Sequence, residues 1–241
     1  MQTDMTVGKP MKMLLNFTIP VFLGNVFQQL YSMADAVIVG KFVGTKGLAA
    51  VGATGTITFL IIGFLMGVTT GVTVLTSQKF GAGRMDEMRK TVGNAAILSA
   101  VIAVVMTAVS MLGMHRLLVF MHTPEDIFDG AYGYIMIICA GIFTQVLYNL
   151  VSSILRALGN SKTPLYFLIL AAGLNIVLDL VFIIFFHWGA PGAAWATVIS
   201  QGVSGVLCLI YMWKAVPELK MKKEDWYFNR DIAVKQISVG I

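Results

Sequence analysis

Charge is scarce in this chain. Only 12% of its residues are Asp, Glu, Lys or Arg, against roughly a quarter in an ordinary soluble domain. Cysteine is scarcer still. Cys139 and Cys208 both lie in apolar surroundings with no spacing motif, so they read as small hydrophobic residues and not as a disulfide or metal framework. His115 and His122 have no carboxylate or cysteine to complete a metal site and read as interfacial polar groups. No segment carries a nucleophile–base pair or a ligand cluster at catalytic spacing, which argues against an enzyme. A cleaved signal peptide is not expected, because the first 13 residues are polar and the apolar run after them is too long.

What the chain has in excess is apolar sequence, 57% of 241 residues. A run of about 20 apolar residues crosses a bilayer as a helix. Six such runs occur, at about 14–40, 48–77, 91–113, 130–154, 164–186 and 190–213. The fold class expected is an all-α integral membrane protein with a six-helix lobe over 1–213. Residues 214–241 then read as a cytoplasmic linker and the beginning of a seventh helix. Of the 17 basic residues, 14 fall on one side of the alternating spans and only Lys41, Lys46 and Arg116 on the other. The basic side, which holds Lys9 and both termini, is assigned to the cytoplasm. The net charge of +5 is thus an orientation signal and not a nucleic-acid footprint.

The loops carry fitting breakers. Gly81 and Gly83 can stop the second span, and Ser161 or Thr163 can cap the fifth ahead of Pro164. The segment HRLLVFMHTPEDIF reads as a piece lying in the membrane interface. The glycines of the second span, Gly52, Gly55, Gly63, Gly67 and Gly71, read as close-packing positions. Pro20 removes a backbone hydrogen bond inside the first span and marks a hinge.

Polar groups inside the spans are few and ordered. Asn25, Gln28, Gln29, Ser32 and Asp35 fall on one stripe of the first helix. Asn175 and Asp179 share a face of the fifth. By helical rise, Asp35 lies roughly 8 Å, Asp179 roughly 12 Å and Thr197 of the sixth span roughly 10 Å from the outer ends of their helices. Three separate segments thus place polar groups at one level. No Lys or Arg lies in the six apolar cores to balance the acids, and Arg156 sits at the inner end of the fourth span. Protonation, a bound metal cation or a cationic ligand must do so. Sodium would find hard oxygen ligands in Asp35, Asn175, Asp179 and Thr197. Gln145 and Asn149, four apart on the fourth span, suit interhelical bonding or ligation equally.

The run IPVFLGNVFQQLYSMADAVIVGKFVGTKGLAAVGA strongly resembles the first two helices of the multidrug and toxic compound extrusion (MATE) family. RALGNSKTP, NIVLD and GAAWATVISQ resemble its helix 4–5 loop, fifth and sixth helices. The resemblance is to bacterial members and implies one lobe of a two-lobe, twelve-helix transporter in the cell inner (plasma) membrane. It implies export of cationic or amphipathic compounds in exchange for protons or sodium, with no other cofactor. It assigns coupling to Asp35, Asn175, Asp179 and Thr197, bending to Pro20 and a nearby amide role to Asn149. The missing carboxy-terminal lobe would come from the same gene, a split chain or a second copy. A lipid-linked sugar flippase of the same superfamily and a non-transporting fragment are the alternatives. The flippase's anionic substrate should need a Lys or Arg facing the cavity.

Overall fold

The computed structural model describes residues 10–240 and is helical throughout, with no strand among the described residues. Lys9 and Ile241 lie outside them. The helices are α1 (Pro10–Phe42), α2 (Thr45–Gly81), α3 (Met85–Phe120), α4 (Glu125–Ala140), α5 (Ile142–Ala157), α6 (Lys162–Leu180), α7 (Gly189–Ala215) and α8 (Arg230–Gly240). A five-residue π turn, Val181–Phe185, continues α6. Five of these units are long and apolar enough to cross a membrane alone. The sixth crossing is α4 and α5 together, bent by 46°. This matches the six runs of the sequence, and it splits the fourth.

The break in the fourth span has a packing cause. A Cβ on Gly141 would lie 2.2 Å from Val198 Cγ2 of α7, so the chain approaches α7 there more closely than any side chain permits. Two apolar cores stack along the bundle. One joins Val39, Ala50, Ile135, Ile142 and Ala193, and the other joins Met88, Val92, Leu155, Leu158 and Cys208. Both cysteines are buried and unpaired.

Local expectations are corrected at three places. Residues 115–120 continue α3 and do not form a separate interfacial piece. His115 instead packs edge-on against Phe128 and Tyr132 at 5.4 and 5.7 Å between ring centres. At α6 neither Ser161 nor Thr163 caps by its side chain; Asn160 Oδ1 accepts the Thr163 N–H at 3.1 Å. On α2, added Cβ atoms at Gly52, Gly55 and Gly63 would meet open space, so these glycines do not serve close packing. Gly67 and Gly71 do: α8 crosses there, with the Gln236 carbonyl 1.8 Å from a Cβ built on Gly71.

After α7 the linker makes two short 3-10 turns, Pro217–Leu219 and Lys223–Asp225, before α8. Side chains pin it to α3. Asn94 Nδ2 donates to Gln236 Oε1 at 3.1 Å, and Asn94 Oδ1 accepts from Asn229 N at 2.8 Å. Gln236 Nε2 donates to the Thr91 carbonyl at 3.0 Å. Satisfying these buried polar groups mutually is what makes such a contact favourable.

Candidate functional site

α1 packs along α6, and α6 along α7. The first contact brings Asp35 of α1 beside Asp179 of α6, carboxylate next to carboxylate. Asp35 is 7% exposed, and Asp179 and Asn175 are fully buried. Asn175 lies one turn before Asp179 on α6, and the widened π turn begins two residues after it. Such turns insert a residue into the helical register and often flank functional positions.

α7 closes the cluster from the third side. The Tyr31 hydroxyl, one turn before Asp35, faces the Thr197 and Ser200 side chains and lies near both acids. Tyr134 of α4 approaches Asp35, Tyr31 and Asp179. Ser200 Oγ is committed to the Thr197 carbonyl at 3.0 Å. The other polar atoms are not committed. Asp35 Oδ1, both Asp179 carboxylate oxygens, both side-chain atoms of Asn175, Thr197 Oγ1 and the Tyr31 hydroxyl are buried without a hydrogen-bond partner. Buried polar atoms are nearly always paired, and small rotations among these groups, a shared proton or a small polar guest would each supply partners.

No described Lys or Arg is paired with either acid. Two ionised carboxylates side by side and out of water are costly, and either a proton between them or a small cation would relieve the cost. The donor set suits both. Carboxylate, amide and hydroxyl oxygens are the ligands hard cations take, while adjacent carboxyls can share a proton.

Asp35, Asp179 and Thr197, selected by depth, and Asn175, selected by its shared face with Asp179, belong to three neighbouring helices, α1, α6 and α7. Tyr31, Tyr134 and Ser200 were not foreseen. Tyr31 was findable, being four residues before Asp35 on the same face. Tyr134 and Ser200 become neighbours only through packing. Asn149 goes elsewhere: it lines a cavity of about 50 Å³ with Pro20, Asn25, Gln28 and Arg156. Its Nδ2 donates to the Gln145 carbonyl at 2.9 Å, one turn earlier. The stripe of α1 therefore divides. Asn25 and Gln28 face the Arg156 cavity, Gln29 and Ser32 are exposed, and Asp35 joins the acids. Arg156, at the inner end of the fourth span, lines this cavity and not the acid cluster. Pro20 lies buried within α1, which runs on unbroken to either side.

Six apolar crossings define an integral membrane protein, and a polar, acid-bearing cluster lies between three of them. The MatE family profile matches residues 20–181, and the chain belongs to that family. It is 33% identical over 88% of its length to the probable multidrug resistance protein YpnP of Bacillus subtilis, of which it covers 47%. It superposes on a crystal structure of MATE in the bent conformation with a TM-score of 0.89 at 28% identity, over 97% of this chain and 52% of that one. Against the straight conformation, at the same identity and coverage, the TM-score is 0.88. The chain spans about half the length of the relatives it matches.

Proposed function

We propose that this chain is the amino-terminal lobe of a cation-coupled antiporter that exports cationic or amphipathic compounds across the cell inner membrane, with both ends of the lobe in the cytoplasm. The observation that carries the reading is the Asp35–Asp179 pair, buried, adjacent and surrounded by unsatisfied oxygens. A proton or a sodium ion entering from outside neutralises the pair. The outgoing cation then loses its counter-charge, and α1 shifts about Pro20. Only one occupant can be favoured at a time, which is the requirement for exchange. The second lobe, from the same gene, a split chain or a second copy, would supply the facing wall of the path.

The test is transport in vesicles by the protein expressed from its complete reading frame. Ethidium efflux is followed under an imposed proton gradient, then under a sodium gradient. Gradient-driven efflux that falls at least tenfold in Asp35→Asn and in Asp179→Asn is expected. Full coupled efflux by either variant would refute the mechanism.

Arg156 supports a second reading. A cation lining a cavity beside α1 suits an anionic headgroup, as a lipid-linked sugar flippase would require. Under that reading Arg156→Gln abolishes transport and Asp35→Asn does not.

A further inference from the structure

Away from α1 and α6 lies a groove of about 600 Å³ between α3, α5 and α7. Ala96 and Ala100 form one wall, Leu150 another and Trp213 the end of a third, and the linker folds Met221 and Trp226 across it. Among its lining residues Ser99 alone carries a side-chain hydroxyl, and none carries a charge. Its volume is that of a small-molecule pocket, and its lining holds no carboxylate to pair with an organic cation.

The residues at its linker end are basic. Lys214 follows Trp213, and Lys220, Lys222 and Lys223 flank Met221; all four are exposed. Two acids share this segment's surface, Glu218 and Glu224. The third, Asp225, is buried, with one carboxylate oxygen accepting the Lys222 N–H at 2.8 Å and lying 3.6 Å from Arg89 Nε. The balance is positive, on the side the basic loops assign to the cytoplasm. Trp213 is 75% and Trp226 55% exposed, as suits indoles at the boundary between lipid chains and headgroups.

We propose that this groove is a binding site for an anionic glycerophospholipid of the inner leaflet, one acyl chain lying along Ala96, Ala100 and Leu150 and the phosphate resting on the linker lysines. Both parts of the ligand follow from the groove and its rim. The uncharged lining selects a hydrocarbon chain, and the lysines select a negative head over a neutral or cationic one. The occupant touches α7 and the linker together, so it ties the lobe to the segment leading onward to α8. The site is independent of the acids.

The test uses these 241 residues with Trp188→Phe and Trp195→Phe, so that of their four tryptophans Trp213 and Trp226 remain as the reporters. It is reconstituted in phosphatidylcholine vesicles containing either brominated-chain phosphatidylglycerol or brominated-chain phosphatidylcholine in equal amount. Quenching at least twofold stronger by the brominated phosphatidylglycerol is expected. Replacing the four lysines by Gln should bring the two lipids to equality, and so should Ala100→Phe, which fills the groove from an exposed position. Ala96→Leu repeats the filling one turn away. Equal quenching in the unmodified background overturns the proposal. So does a preference that survives groove filling, since that would mark surface attraction alone.

Discussion

The carboxylates of Asp35 and Asp179 lie side by side although 144 residues separate them in the chain, each supplied by a helix whose other polar residues point elsewhere or stay unpaired. A fold does not gain by burying two like charges together. Ionised together they would repel out of water, and a proton shared between them or a small cation beside them would relieve that cost.

Replacing either acid by its amide should therefore leave the fold intact. Asp179→Asn keeps the shape and removes one of two adjacent charges. Thermal unfolding in detergent at neutral pH should give an unchanged or higher midpoint. A fall of more than about 3 °C, roughly 1 kcal/mol for a chain of this size, would mean that the carboxylate is needed for structure.

Gly141→Ala should destabilise by about 1–3 kcal/mol, the usual cost of overpacking, because the new methyl meets a β-branched side chain at its stem. Val198→Ala, half-buried, should cost less alone. The double variant should be more stable than the sum of the two predicts, as for residues in contact. Gly52→Ala is the control: nothing lies within 4 Å of its Cβ, and better helix propensity should raise stability by up to about 1 kcal/mol. Unfolding midpoints of the four variants decide it.

Asn94→Ala should release α8. It strands Gln236 Oε1 and the Asn229 N–H, a local loss of about 2–3 kcal/mol, while Gln236 Nε2 keeps the Thr91 carbonyl. Hydrogen exchange at residues 229–240 should accelerate, while residues 142–157 exchange as before. Equal acceleration in both segments would show that Asn94 supports the whole bundle instead.

Glu87 is held below the usual carboxylate range, first by its hydrogen bond from Lys79 and then by Arg84 and Lys90 nearby. A lowered folded value means that the contribution to stability is present above the ordinary carboxylate range. It is lost as pH falls through the lower folded value. The pair is exposed, so the contribution is small and salt-sensitive. Glu87→Gln should shift the midpoint slightly downward at neutral pH, and the difference should close in acid and in high salt. A difference that grows in acid would contradict the assignment.

Much of this protein is fixed by sequence alone. In lipid, a backbone must satisfy its own hydrogen bonds, so each long apolar run becomes a helix, and charges are expelled to the ends. Hydropathy therefore yields six crossings, and the basic loops yield an expected orientation. Helical rise converts position into depth, and that was enough to place Asp35, Asp179 and Thr197 at one level.

Depth and helical face are all that one helix can specify. Which face meets which neighbour depends on side-chain packing among α1, α4, α6 and α7, and no periodicity encodes it. The tertiary structure alone added Tyr134 and Ser200 to the acids, sent Asn149 and Gln28 to the cavity of Arg156, and gave Gly71 but not Gly52 a partner. It also broke the fourth span at Gly141, because α7 passes too close there for a side chain. The sequence set how deep each polar group lies, through the energetics of lipid. Packing decided which of them meet.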